Sequence, residues 1–383
     1  MWNPAGIRPD KPVVGETSVR PNSPALRGFT LIELLVVVAI IALLIGILLP
    51  TLSEARRIAK QTICSANLKM FGTGGASYAA DFKDRLWSLN SYRNRTVYYS
   101  GFNQSFVYGN TAAAEEQSAR DNAIDIILRR TGRNDILRFT IPWIPTVLYN
   151  HLMMQDYLAQ TLPTKAVACP EDRALLAWQK DPQNYNNLGE PSPAPPGTLS
   201  NDNKRWPYSS SYRNVVSWWS RDYDTASQGA WYQVDAGFFQ RRGGLSAEGD
   251  IGKRVQTEVA HPGSKIVMYD WGSRHFTKKS IFFLYPDAKQ PFLFFDNSVR
   301  NKETADANKG WDWRSPAAQR TQSAVYTAFT YDNALGGNAE LWKPAHRNGG
   351  YGGGAVTFNA AYYTATRGGL AGVDYGGSEI VFR

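Results

Sequence analysis

The chain has only two cysteines and four histidines in 383 residues. Two cysteines exclude a disulfide-dense scaffold and leave room for at most one bridge. His151, His261, His275 and His346 fall at no metal-binding spacing such as His-Glu-x-x-His, so they read as structural or surface residues. No Gly-x-Ser-x-Gly elbow occurs. The Gly349 to Gly354 cluster is not followed by Lys-Ser/Thr and opens no helical pattern, which marks a β-loop rather than a phosphate cradle. Asp270, at the end of a predicted strand, is a single carboxylate without a partner in sequence. The residues therefore offer no constellation for an enzyme. The formal net charge is +9, yet Lys and Arg are scattered, with short pairs such as Arg56-Arg57 and Arg241-Arg242. That is a solvated basic surface rather than a nucleic-acid footprint.

What is present in abundance is aromatic: 12 Trp and 20 Tyr, suited to a β-rich exported domain with half-buried, wet ring positions. One long apolar run also stands out. From Phe29 to Leu49 every side chain is apolar or Gly except Thr30 and Glu33. About 20 such residues in a helix cross the roughly 30 Å hydrocarbon core of a bilayer, and a helix satisfies its own backbone there. Glu33 is anomalous, because a carboxylate in that setting is costly and calls for a partner. Before the run, Met1 to Gly28 holds Pro12, Pro21 and Pro24 and no apolar periodicity, so it reads as a disordered, removable leader. Basic residues flank both ends of the run (Arg20 and Arg27, then Arg56, Arg57 and Lys60), so charge alone does not orient it.

The stretch Gly28-Phe29-Thr30-Leu31-Ile32-Glu33, followed by an apolar helix, resembles the processing signature of type IV pilins and type II secretion pseudopilins. The resemblance implies cleavage by prepilin peptidase between Gly28 and Phe29, methylation of the new Phe29 amine, and pairing of Glu33 with the amine of a neighbouring subunit. It places the leader in the cytoplasm and the large domain in the periplasm, anchored by a single pass in the inner membrane or carried in an extracellular filament. Partners implied are the peptidase, copies of the same chain or other pseudopilins, and the type II secretion assembly platform. A minor, tip-located pilin that binds glycan or a secreted substrate is the alternative.

Further matches are shorter. Cys-Ser-Ala-Asn-Leu-Lys from Cys64, Tyr-Ala-Ala-Asp from Tyr78 and Cys-Pro-Glu-Asp from Cys169 resemble motifs of a large pseudopilin-like subfamily. So do Pro262 to Asp270 and the His346 segment, although Asn359-Ala360 stands where that subfamily has Asp-Gly. The two cysteine motifs make a Cys64–Cys169 disulfide an expectation of the resemblance, with two buried thiols as the alternative. Metal is not expected at two cysteines without a nearby His cluster. Loop aspartates are candidates for Ca²⁺, as in some pseudopilins, if 6–8 oxygens converge.

The resulting expectation is an α+β, pilin-like chain with a leader over 1–28, a transmembrane helix over 29–49, its continuation over 50–72 and an extracytoplasmic domain with an antiparallel sheet over 73–383. Pro50 predicts a kink, and Gly72, Gly74 and Gly75 predict the helix end. Leu52, Ala55, Ala59, Ile63, Ala66 and Met70 recur at helical spacing as the packing stripe. Helices are predicted over Ala112 to Arg130, stopping at Gly132, and over Trp143 to Leu158. Asp181 to Arg205 reads as a long Pro-rich loop. Strands are predicted over Ser211 to Trp219, Ala230 to Phe239, Lys265 to Asp270, Ile281 to Tyr285, Phe292 to Phe295, Ala324 to Thr330, Ala355 to Phe358 and Ile380 to Phe382.

Overall fold

A computed structural model describes residues 30–138, 145–158, 161–184, 204–220, 231–233, 239–241, 251–276, 281–308, 310, 329–331, 356–358, 362–366 and 368–376. The predicted leader with Gly28, Phe29, most of the Pro-rich loop, the His346 segment and the strand expected over Ile380 to Phe382 lie outside these residues. The chain divides into two units, Met1–Glu54 and Ala55–Arg383.

The described part of the first unit is the beginning of α1, a helix over Leu31–Asp81. Pro50 lies inside it. Proline has no N–H for the carbonyl four residues back, and its ring crowds that carbonyl; the residue there is Gly46. Next to the break the Thr51 hydroxyl donates to the carbonyls of Leu48 (2.9 Å) and Ile47 (3.4 Å).

In the second unit α1 does not stop at Gly72 but runs on to Asp81. Helix propensity argues for the earlier end; packing reverses it. A Cβ on Gly74 would meet the Met154 methyl at 3.0 Å, and one on Gly75 would run into the Trp87 ring. These glycines let neighbouring side chains approach the helix backbone. The buried face is also not the predicted stripe. Cys64, Leu68, Phe71, Gly75 and Tyr78 are buried, spaced three or four residues apart as one helix face requires. Ala55, Ala59, Ile63 and Ala66 stay exposed.

A hairpin follows that the sequence reading passed over. β1 (Arg95–Tyr99) pairs antiparallel with β2 (Gln104–Tyr108), Tyr99 opposite Gln104. Asn103 closes the turn at φ 52°, and the Gly101 N–H donates to Asp125 Oδ1 at 2.7 Å. α2 (Ala112–Thr131) matches its prediction: the Thr111 side chain caps the first turn, and Gly132 ends it at φ 68° with its N–H on the Leu128 carbonyl. The helix expected over Trp143 to Leu158 is instead two 3₁₀ turns, Pro145–Val147 and Asn150–Met154, and one α turn, α3 (Gln155–Leu158). Val147 to Leu152 are all buried, so this segment has no polar face for a surface helix. α4 (Arg173–Lys180), capped by Asp172, was not predicted.

The main sheet has four antiparallel strands. β3 (Tyr212–Asn214), β6 (Ile266–Asp270), β9 (Lys289–Phe294) and β10 (Val299–Glu303) lie in the order β10-β9-β6-β3. Short pairs flank it: β4 (Trp231–Gln233) with β5 (Phe239–Arg241), β7 (Gly272–Ser273) with β8 (Ile281–Phe282), and β11 (Phe329–Tyr331) with β12 (Val356–Phe358). The predicted α+β class with an antiparallel sheet is what the chain adopts. Tyr212, Trp218, Trp219, Tyr269, Phe283, Phe292 and Tyr363 fill the core. The buried Lys265 ammonium lies 3.1 Å from Asp374, whose other neighbours are Thr366 Oγ1 (2.6 Å) and the Ile266 N–H (2.9 Å), fastening β6 to the segment near the C-terminus.

Candidate functional site

Two places have chemistry that the fold alone does not require. The first is the start of α1. Thr30 precedes the helix and Glu33 stands in its first turn. The Thr30 N–H (2.8 Å) and hydroxyl (2.9 Å) both donate to Glu33 Oε2, and the Glu33 N–H donates back to Thr30 Oγ1 at 3.2 Å. This is a capping box: two helix-start donors satisfied reciprocally by side chains. The Thr-x-x-Glu spacing announces it in the sequence, so Glu33 has a local role besides the assembly role expected of it. Glu33 Oε1 carries no hydrogen bond among the described residues. Beyond Glu33 the helix is bare: the large apolar side chains from Leu31 to Leu49 are between 44% and 85% exposed. It is the one described helix long and apolar enough to cross a membrane.

The second place is wholly inside the second unit. Cys64 from α1, Cys169 before α4, Asp270 at the end of β6 and His275 just after β7 meet there, all buried. Their ligand-type atoms lie within 4.8 Å of one another. The two sulfurs are 2.8 Å apart as free thiols, and His275 Nε2 faces both, at 3.0 Å from Cys64 and 3.1 Å from Cys169. Tyr212 donates its hydroxyl to Cys64 Sγ at 3.2 Å. Asp270 Oδ1 accepts from the Gly272 N–H (3.1 Å) and from Arg274, while Oδ2 is buried without a partner among the described residues. Arg274 also reaches Asp172 at 3.0 Å, and Asp172 accepts from Ser211 Oγ at 2.7 Å.

Burial sets the protonation of this cluster. It pushes the Cys169 thiol well up, reinforced by Cys64. It raises the Asp270 carboxyl against the pull of Arg274, and lowers His275 to about 4 with help from the Arg274 charge. Arg274 is raised: burial works against its charge, but Asp172 and Asp270 outweigh that. Without a further cation the Cys169 thiol and the His275 imidazole are therefore held neutral. No spacing in the sequence links His275 or Asp270 to the cysteines; only the fold brings the four together. His151 is buried elsewhere, and His346 lies outside the described residues.

Comparison with known proteins bears on the first place. The prokaryotic N-terminal methylation motif matches residues 26–49, which include Gly28, Phe29 and Glu33. The chain is 34% identical over 121 residues to the type IV major pilin protein PilA of Myxococcus xanthus, covering 30% of this chain and 53% of that protein. It is 55% identical over 42 residues to the type IV wide pilus major component PilA4 of Thermus thermophilus, covering 11% of this chain and 32% of that protein. The chain thus spans about half of the first relative and about a third of the second. No solved structure matches it. The motif and the relatives mark a prepilin-type, pilin- or pseudopilin-like protein, and with the apolar helix they mark it as membrane-anchored.

Proposed function

We infer that the chain is a structural subunit of a pilin-like filament, cut by prepilin peptidase between Gly28 and Phe29 and methylated on the Phe29 amine. The observation that carries this is the bare apolar surface of α1 over Leu31 to Leu49, which lies within the matched methylation motif of residues 26–49. Such a surface must be covered by lipid before assembly and by other helices after it. Both relatives are named as components of type IV pili, which favours a pilus-like filament over the type II secretion pseudopilus. Glu33 supports the assembly step. Its Oε2 closes the helix start, and its Oε1 is open to a neighbour's ammonium. In a dry helix bundle that pairing relieves two charges that are each costly alone.

The test is intact mass of the membrane-extracted protein together with two variants. The wild type should begin at Phe29 and weigh one methyl group more than its sequence. Gly28→Ala should stay uncut. Glu33→Ala should be cut normally, yet its yield in sheared filaments should fall on the order of tenfold or more, since an unpaired amine in an apolar bundle costs a few kcal/mol. A mature protein still beginning at Met1 sinks the processing step. Wild-type filament yield from Glu33→Ala sinks the pairing.

A further inference from the structure

We propose that Cys64, Cys169, Asp270 and His275 form a metal site that binds one zinc ion with structural consequences for the second unit, independently of whether the chain polymerises. Zinc is commonly held tetrahedrally by Cys sulfur, His nitrogen and carboxylate oxygen, and these four side chains supply two sulfurs, one nitrogen and one oxygen. Each already points inward: the His275 Nε2 faces both sulfurs, and the ligand-type atoms of all four residues lie within 4.8 Å of one another.

The unpartnered Asp270 Oδ2 is the observation that separates this reading from a disulfide. A buried carboxylate oxygen without a donor is costly. A disulfide carries no thiol proton to offer it, although Cys169 is a neighbour of this carboxyl. A cation satisfies it and both sulfurs together. Two thiolates, Asp270 and Asp172 contribute four negative charges; a divalent ion and Arg274 contribute three positive, which leaves one negative charge in excess. Asp172, paired with Arg274, caps α4 and accepts the Leu175 N–H at 3.2 Å, where the helix dipole offsets part of that excess. Binding releases the two thiol protons to solvent and transfers no electrons. With Zn–S bonds of about 2.3 Å a tetrahedron sets the sulfurs about 3.8 Å apart, so loading widens the pair from its 2.8 Å separation. Tyr212, bonded to Cys64 Sγ and itself held by Asn67 at 3.1 Å, stays in place as a donor to the coordinated sulfur.

The experiment uses the full chain extracted in detergent from cells grown with zinc. Elemental analysis should give one zinc per chain. Both thiols should resist alkylation until a chelator is added, and both should then react. Exchange with cobalt(II) should produce a sulfur-to-cobalt charge-transfer band and the visible absorption of a tetrahedral ion. Asp270→Asn should weaken zinc binding on the order of tenfold or more, and Cys64→Ser should abolish the charge-transfer contribution of one sulfur. The wild-type measurements stand even if a variant fails to fold. A Cys64–Cys169 disulfide in non-reduced peptide maps, or metal-free protein with two free thiols, overturns the site.

Discussion

At the residue scale, buried ionisable groups are the most consequential feature of the second unit. His151 is buried, and burial lowers it to about 3. In the unfolded chain it titrates near 6.5. The unfolded state therefore binds a proton that the folded state refuses, so stability is full above about pH 6.5 and falls as pH drops toward 3. At about pH 5 the loss from this one residue is about 2 kcal/mol. Urea midpoints measured between pH 7 and pH 5 should fall in the wild type and fall less in His151→Gln. Equal slopes would show that His151 is not the group responsible. Thr30 and Glu33 teach a different lesson at the same scale. Their spacing is plain in the sequence, but a capping role and an assembly role compete for one carboxylate, and only geometry shows that each can use a different oxygen.

At the scale of elements, the outcome turns on whether local signals agree with packing. α2 was legible from Ala112 to Arg130 with its stop at Gly132 because its helix-forming run and its left-handed end both lie within the segment. The β1–β2 hairpin was missed although Thr-Val-Tyr-Tyr and Gln-Ser-Phe-Val-Tyr flank Ser100 to Asn103, since tyrosines on both faces blur the alternation that marks a strand. α1 shows the reverse error. Three glycines predicted an end where packing against Asn297, Met154 and Trp87 needed them inside the helix. Ala is the better helix former by about 1 kcal/mol, yet Gly75→Ala should destabilise the unit by about 1–3 kcal/mol, because its Cβ would enter the Trp87 ring and force repacking. Gly46 is the control: nothing lies within 4 Å of a Cβ built there, so Gly46→Ala should leave the melting temperature unchanged or slightly raised. A stable Gly75→Ala protein would show that Trp87 can step aside freely.

At the scale of the whole molecule, the two units differ in what covers their apolar surface. The second has its own core, closed around Trp218, Trp219, Tyr269 and Phe292. The described part of the first has none and leaves its apolar side chains bare. Removing residues 1–54 should therefore yield a water-soluble 55–383 fragment with a cooperative thermal transition, whereas the intact chain should need detergent. Aggregation of the fragment would mean that its core depends on the first unit.

The sequence by itself determined the long apolar run, the methylation motif, the α+β class and the bounds of α2. Each is written in consecutive residues whose spacing or hydropathy is local. Only the tertiary structure decided which face of α1 is buried, how far that helix runs, and that Cys64, Cys169, Asp270 and His275 share one buried point. Those residues are separated by up to 211 positions, and nothing local in the chain reveals that folding brings them into contact.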